Sequence, residues 1–550
     1  MTKAPEFDFI IVGAGSAGCV LADRLTECGR FTVQVIEAGG SDQKFFIKMP
    51  MGYGLTFSDA RVNWKYQAEP DPGLGNRIGY WPRGKVIGGS SSINAMAYMR
   101  GLPHDFDDWA KAGATGWDWK TVQETYEALE TVVEADGTTC GSGPIVVSDL
   151  RNAMSPFSRH FLDAARDLNW PVLGDLNGSA SPGQNQHPNE GMGYMRATVR
   201  NGRRWSAADV FLRRAIKRHN LSVVIGARVE RILTKEKLAT GVRYRVNGEI
   251  RETSARREVI LSAGAIDSPK LLMLSGIGPA ADLRTLGIDM VLDQPQVGQG
   301  LQDHLAVSHY YWAKEATLNS ILGRRTGQFR AGVQYLLTRG GPLSVPVNQV
   351  SGYLRTSGAL VPDVQVYCNP ATYATLPDGA PLVDRDNGFL LCVQPCRPTS
   401  RGWITLRSAD PAAAPRIQPN SLSTAEDQRT AVAASHLLQQ LAQSPTLQRV
   451  TRARRDPDIL EMDDDALLEN FRQRAGTVFH ASCTCRMGDG PDTSVTDNRL
   501  RVHGIGRLRV IDASAFPNVT SGNTNAPTMM LADRAARMVI EDNLGRSAVA

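Results

Sequence analysis

The sequence predicts an α/β protein of two domains, and three observations predict it. The chain has 550 residues, more than one ordinary core accommodates. Its first apolar run passes directly into a glycine-rich turn and then a segment of helical composition. Further strand-like segments recur far along the chain, at 221–225, 258–262 and 508–511, so one domain must be assembled from separated pieces.

Composition supports a folded enzyme. The chain is 42% hydrophobic, 21% charged and 7% aromatic, which excludes disordered and collagenous classes. Its net charge of +5 is spread along the whole length. The basic runs at 200–204 (RNGRR) and 452–455 (RARR) lack interleaved stacking aromatics and read as solvated faces, so no nucleic-acid partner is expected. Eight cysteines are too sparse for a disulfide framework. Cys483 and Cys485 form a C-x-C without a second ligand pair, so local packing is expected there and no metal. The apolar run at the N-terminus lacks a signal peptide's cleavage site, and nothing approaches the roughly 18 apolar residues of a membrane span. A cytoplasmic protein is expected, with peripheral membrane contact left open. There is no internal repeat, and the turn-rich stretch 178–186 is too short to be a linker.

The first element reads as a buried strand over 9–12. Gly13-Ala14-Gly15-Ser16-Ala17-Gly18 then turns into a helix over 19–26, which is G-x-G-x-x-G in its required context. Gly13 permits the tight turn, Gly15 lets a pyrophosphate approach the backbone, and Gly18 lets helix and strand pack closely. The helix N-terminus then faces the anion. A second strand over 32–36 ends at Glu37, whose carboxylate can accept from the ribose hydroxyls of an adenosine and disfavours a 2′-phosphate. These residues leave FAD and NAD both open.

Longer motifs narrow the choice. Residues 84–101 (GKVIGGSSSINAMAYMRG), 264–278 (GAIDSPKLLMLSGIG), 297–304 (VGQGLQDH), 480–488 (HASCTCRMG), 509–516 (RVIDASAF) and 521–530 (SGNTNAPTMM) resemble, in order and spacing, the signature stretches of the glucose-methanol-choline (GMC) oxidoreductases. Within that family the look is nearest to bacterial choline-dehydrogenase-like enzymes and FAD-dependent primary-alcohol dehydrogenases and oxidases. The resemblance implies an α/β, Rossmann-like FAD-binding domain of the GMC type from 1–155, 200–300 and 465–550. It also implies a second, α+β substrate domain from 156–199 and 301–464, built on an antiparallel sheet with strands near 364–367 and 389–393 and a covering helix near 431–442. The FAD contacts it implies are Gly13, Gly15, Ser16, Ala17, Gly18, Glu37, Ala38, Trp64, Gly84, Gly89, Ser90, Asn94, Ala95, Met96, Ala97, Val229, Ala263, Asp512, Ala513 and Asn523. Gly88 to Ser91 offer unhindered N–H groups and hydroxyls to the diphosphate. Family members that bind FAD covalently can carry histidine where this chain has Ile93, so the FAD is expected to be non-covalent.

Oxidising an alcohol requires the hydroxyl proton to leave as a hydride moves from the same carbon to flavin N5, so a base must reach the oxygen. Of nine histidines, His480 matches the family's catalytic position, and histidine titrates in the useful range. Asn523 matches a position carrying histidine or asparagine, and its amide can donate to the oxygen; it could also cap the following helix. That helix, opening near Pro527, would aim its N-terminal N–H groups at the flavin.

A choline-type substrate would want an aromatic cage and a carboxylate. Tyr310, Tyr311 and Trp312 are available as aromatics, though such a cluster is more often core or sheet packing, and Gln349 stands where choline-type members carry glutamate. A neutral primary alcohol is therefore expected, with oxygen or a quinone as electron acceptor. The alternatives are a choline dehydrogenase or oxidase, an FAD-containing lyase of the same family, and, last, a flavin-binding protein without catalysis.

Overall fold

The computed structural model describes residues 5–178, 189–376 and 380–544, which leaves all of the turn-rich stretch 178–186 except Gly178 outside the described residues. Two seven-stranded sheets organise the chain. In the first, Glu6–Val12 is the central parallel strand, flanked by Val33–Ile36 and then Leu221–Val224 on one side and by Glu249–Leu261 on the other. Its last four residues are fully buried, as the apolar run requires of a strand covered on both faces.

Glu249–Leu261 is longer than the segment 258–262 that the sequence suggests. Its first half pairs antiparallel with Leu238–Val246, which pairs with Ala227–Lys235. Its end pairs parallel with Leu508–Val510. The first half is mostly polar and its first four residues are exposed, so it carries no apolar run to detect.

The Ser16–Glu27 helix covers this sheet, and the Asn525–Leu544 helix packs against it. Cys19, Leu21, Met530 and Ala535 lie in their common core, where Cys483 is also buried. Arg24 and Asp533 join the two helices by an ion pair of 2.6 Å.

The second sheet is antiparallel throughout, in the order Thr451–Arg454, Leu305–Ala313, Gly388–Pro395, Val364–Asn369, Val350–Leu354, Gly191–Tyr194, with Gly476–Thr477 added beside Leu305–Ala313. The Ala425–Gln443 helix lays Ala431, Ala434, Leu438 and Leu441 on one face of it. The Asp464–Arg474 helix adds Leu467 and Phe471 to the same core. The other face looks toward the first sheet across a large cavity.

One sequence expectation changes here. Arg204, read as part of a solvated run, is fully buried: its guanidinium donates to the Ile47 and Ser91 carbonyls at 2.8 and 3.1 Å and to Asn94 Oδ1 at 2.7 Å. A charge run marks a surface only where no loop needs its carbonyls satisfied. Tyr310, Tyr311 and Trp312 form no cage, because they belong to sheet packing. Tyr311 stacks on Phe389 at 5.2 Å, and Arg455 lies over Tyr310 and Trp312.

Candidate active site

The cavity between the sheets measures about 2020 Å³, roughly twice the upper end of ordinary small-molecule pockets. It is large enough for a dinucleotide and a substrate together. All the expected site residues line it except Gly18, which lies beneath the turn, where a Cβ would strike the Gly13 carbonyl.

At one end the wall is backbone. Gly13 has φ +98°, and a side chain there would meet the Ser262 carbonyl at 2.7 Å. Gly15, by contrast, has room around it: a Cβ built there would only touch the Gly89 Cα and the Ser262 carbonyl, each at 3.9 Å. It stands at the start of the Ser16–Glu27 helix without a side-chain cap, so the first N–H groups of that helix are free to receive an anion. Gly89 comes so close to Gly15 that a Cβ on it would sit 2.7 Å from the Gly15 Cα. The two glycine loops thus form one cradle, but the Gly88, Gly89 and Ser91 N–H groups, expected to be free, are taken by the Ala14, Val86 and Gly88 carbonyls, so the donors for a diphosphate come from the helix start.

Glu37 is buried beside this cradle. Its carboxylate accepts from the Ala14 and Gly39 N–H groups at 2.8 and 2.7 Å, and burial pushes its pKa up to about 7. Ser90 Oγ accepts from Gly84 N at 3.2 Å, and Asn94 Oδ1 accepts from Met96 N at 3.0 Å, fixing Met96 at φ +61°. Asp512 is buried and holds the Gly264 N–H at 2.9 Å, the Ser268 hydroxyl at 2.6 Å and the Ser514 N–H at 2.8 Å. It pins the start of the Gly264–Leu274 helix, next to Ala263, at the cavity wall.

At the other end the wall is made of side chains that meet from distant parts of the chain. His480 is buried, and its backbone N–H donates to Asp303 Oδ1 at 2.7 Å. Its Nδ1 lies 2.9 Å from His304 Nδ1, while His304 Nε2 lies 2.9 Å from the Cys396 carbonyl. Asn523 Nδ2 is 3.1 Å from His480 Nε2. Burial pushes the His304 pKa down to about 4. Burial, then His304, then Arg83 hold that of His480 well below its ordinary value.

These contacts determine the protons. The Cys396 carbonyl can only accept, so His304 Nε2 carries the hydrogen; its Nδ1 is then bare and must accept from His480 Nδ1–H. His480 Nε2 is left with its lone pair toward the cavity, where Asn523 donates to it.

The Asn525–Leu544 helix starts two residues after Asn523 and has Pro527 in its first turn, where a missing N–H costs nothing. Ser16 Oγ donates to Asn525 Oδ1 at 2.7 Å, so this helix start is tied to the cradle.

Sequence reasoning missed Arg83, a cavity residue. It donates to the Phe479 carbonyl at 2.7 Å, holding the turn before His480, and its Nη2 has no protein partner among the described residues. The only sequence signal was its place one residue before the glycine motif. Tyr53, Asn348 and Tyr367, also on the cavity, carried none.

Gln349 is a correction: it is absent from the cavity wall. Its Oε1 turns the opposite way, to accept from Ser155 N and Ser158 Oγ at 2.9 and 2.7 Å. The neighbouring Asn348 faces the cavity instead, as alternation along the entry to a strand dictates.

Two family models described as GMC oxidoreductase match residues 7–306 and 398–532. The oxygen-dependent choline dehydrogenase of Vibrio vulnificus (strain YJ016) is 38% identical over 540 residues, covering 97% of this chain and 94% of that protein. The alcohol dehydrogenase [acceptor] of Pseudomonas putida is 37% identical over 541 residues, covering 97% and 96%. The crystal structure of pyridoxine 4-oxidase from Mesorbium loti superposes with a TM-score of 0.84 at 29% identity, covering 96% and 98% of the two chains.

Proposed function

From the premise that this chain belongs to the GMC oxidoreductase family, we propose that it oxidises a neutral primary alcohol to the aldehyde with non-covalently bound FAD, and that His480 is its base. FAD-dependent oxidation of an alcohol is common to the family. The observation that carries the proposal is the lone pair at His480 Nε2, fixed by the chain of hydrogen bonds that ends on the Cys396 carbonyl.

When bound, FAD supplies the acceptor for the hydride that leaves the alcohol carbon. The protein does the rest. With an alcohol bound, the Asn523 amide turns from His480 Nε2 to the alcohol oxygen, leaving Nε2 free to take the hydroxyl proton while Asn523 donates to the oxygen as charge builds on it. His304 keeps the base in the tautomer that can accept. The cradle of Gly13, Gly15, Ser16, Ala17, Gly89 and Ser90 would hold the diphosphate, Glu37 and Ala38 the adenosine side, and Trp64, Gly84, Val229, Ala263, Asp512, Ala513 and residues 94–97 the remainder. Ile93 is buried on the cavity wall, where it offers no nucleophile.

Neutrality of the substrate rests on charge. The carboxylates lining the cavity are Glu37, Asp267, Asp384, Asp386 and Asp512. Asp384 and Asp386 are neutralised by Arg455 and Arg452 at 2.8 and 3.0 Å; Glu37 and Asp512 are committed at the cradle, and Asp267 accepts from Tyr66. Among the described residues, none is left to meet a quaternary ammonium. We divide the chain into cofactor and substrate domains at the expected bounds except for 465–477, which we assign to the substrate side; Leu467, Phe471 and the pairing of Gly476–Thr477 support that assignment.

The test is anaerobic mixing of the purified protein with neutral alcohols and with choline while following flavin absorbance. Bleaching by a neutral primary alcohol is the expected result. Bleaching by choline alone would replace the substrate class, and turnover of a cyanohydrin without bleaching would make the protein a lyase. Oxygen uptake after reduction, compared with reduction of a soluble quinone, identifies the acceptor.

A further inference from the structure

The Arg325–Thr338 helix wears its apolar stripe on the outside. Phe329, Val333, Leu336 and Leu337 recur at i, i+4, i+7 and i+8, the spacing that in a globular protein faces a core. Here they are 73%, 40%, 58% and 80% exposed, while only Ala331 and Tyr335 turn inward. Exposed Phe45 continues the patch, its ring 6.1 Å from that of Tyr335, and exposed Phe46 lies 5.5 Å beyond.

The charge around the stripe has one sign. No acidic residue stands between Glu315 and Asp363, a span containing Arg324, Arg325, Arg330 and Arg339, all exposed. The acids on the facing rim, Asp384 and Asp386, are already paired with arginine. The residues just before the stripe, Leu322 to Thr326, line the mouth of the cavity. Among the described residues, no helix is long and apolar enough to cross a membrane, so any membrane contact through this helix is one of lying in the surface.

We infer that the Arg325–Thr338 helix is a docking element that seats its stripe in the interfacial layer of an anionic lipid bilayer, with the cavity mouth turned to the lipid. A second copy of the chain suits this face poorly, because a twofold contact would set the same acid-free arginine cluster against itself. An anionic bilayer answers both features at once: headgroups meet the arginines while acyl chains receive Phe329 and Leu337. It is also fluid, so an apolar alcohol or electron acceptor dissolved in it can still reach the mouth. This inference stands apart from the chemistry at His480.

Flotation with vesicles tests it, using the FAD-loaded full chain, pure phosphatidylcholine, and phosphatidylcholine mixed with phosphatidylglycerol. The parent should float with the anionic vesicles at low salt and less with the neutral ones. F329S/L337S should lower that affinity on the order of a hundredfold, the loss expected for two buried side chains. R325Q/R330Q should lower it about fivefold per arginine on anionic vesicles alone. These residues are exposed, so melting temperature and FAD content should stay parental. If F329S/L337S fails that control, tryptophan emission of F329W replaces it, with a blue shift expected on adding anionic vesicles. A parent that stays unbound, a stripe variant that floats like the parent, or an unshifted F329W overturns the inference. So does a concentration-dependent dimer that F329S/L337S abolishes, which would give the stripe to a second copy.

Discussion

The two ends of the cavity are made of different material. The cradle is backbone: Gly13, Gly15 and Gly89 shape it by lacking side chains, and its hydrogen-bonding groups are peptide N–H donors. The His480 end is side chain, joining residues 303–304, 396, 480 and 523. A site made of backbone is written in consecutive residues, whereas a site made of side chains exists only after the chain has folded. The first should fail by losing cofactor, and the second by losing rate with the cofactor still in place.

The largest expected effect is at the side-chain end. His480→Ala should slow anaerobic flavin reduction by roughly a hundred- to ten-thousand-fold, the range for loss of a general base, without releasing FAD. If rate and FAD content fall together, His480 is a structural residue and the contrast between the two ends breaks.

The relay behind it comes next. His304→Ala leaves the base present but its tautomer unset, so reduction should slow by roughly ten- to a hundredfold, as for other lost orienting partners. His304→Asn keeps an amide oxygen that can accept from His480 Nδ1–H, and should recover part of the rate. Equal defects in the two variants would show that His304 only fills space. In the parent, the depressed His480 pKa means that the base is already unprotonated at neutral pH. The reduction rate should therefore stay level as pH falls through 6.5, the ordinary histidine value, and drop only below it. A midpoint near that value in a pH profile would contradict the electrostatics.

At the backbone end, Glu37→Gln should weaken FAD retention by about ten- to a hundredfold, the cost of a charged acceptor lost to buried N–H donors. Reduction of whatever flavin remains should keep its parental rate. The smallest effect on selectivity is at Gln349, which faces Ser155 and Ser158. Gln349→Glu should leave the ratio of cationic to neutral alcohol turnover unchanged and lower the melting temperature, because it buries a charge. A shifted ratio would return this residue to the pocket.

The legibility of the sequence follows the same line. The strand, turn and helix around Gly13 to Gly18, the acid at Glu37 and the loop at Gly88 to Ala97 were readable, because each rests on local backbone demands. His480 and Asn523 were placed only by family resemblance; nothing local separates His480 from the other histidines. His304 stood in a quoted motif, yet its link to the Cys396 carbonyl spans 92 residues and has no pattern in the sequence. Arg204 and Gln349 were misread for a related reason. A charged run says nothing of which member a loop will bury, and a one-residue offset at a strand entry reverses the facing side.

The bond from Ser16 to Asn525 spans 509 residues, and that distance has a consequence for how the protein is made. On a ribosome adding about 5–20 residues per second, roughly half a minute to two minutes separate the making of these two partners. The glycine turn therefore emerges long before the helix that buttresses it. Until that helix is made, a nascent chain carries a half-built nucleotide cradle, and tight cofactor capture has to wait for it. Truncation near the C-terminus would leave a flavin-free chain, however intact its first five hundred residues.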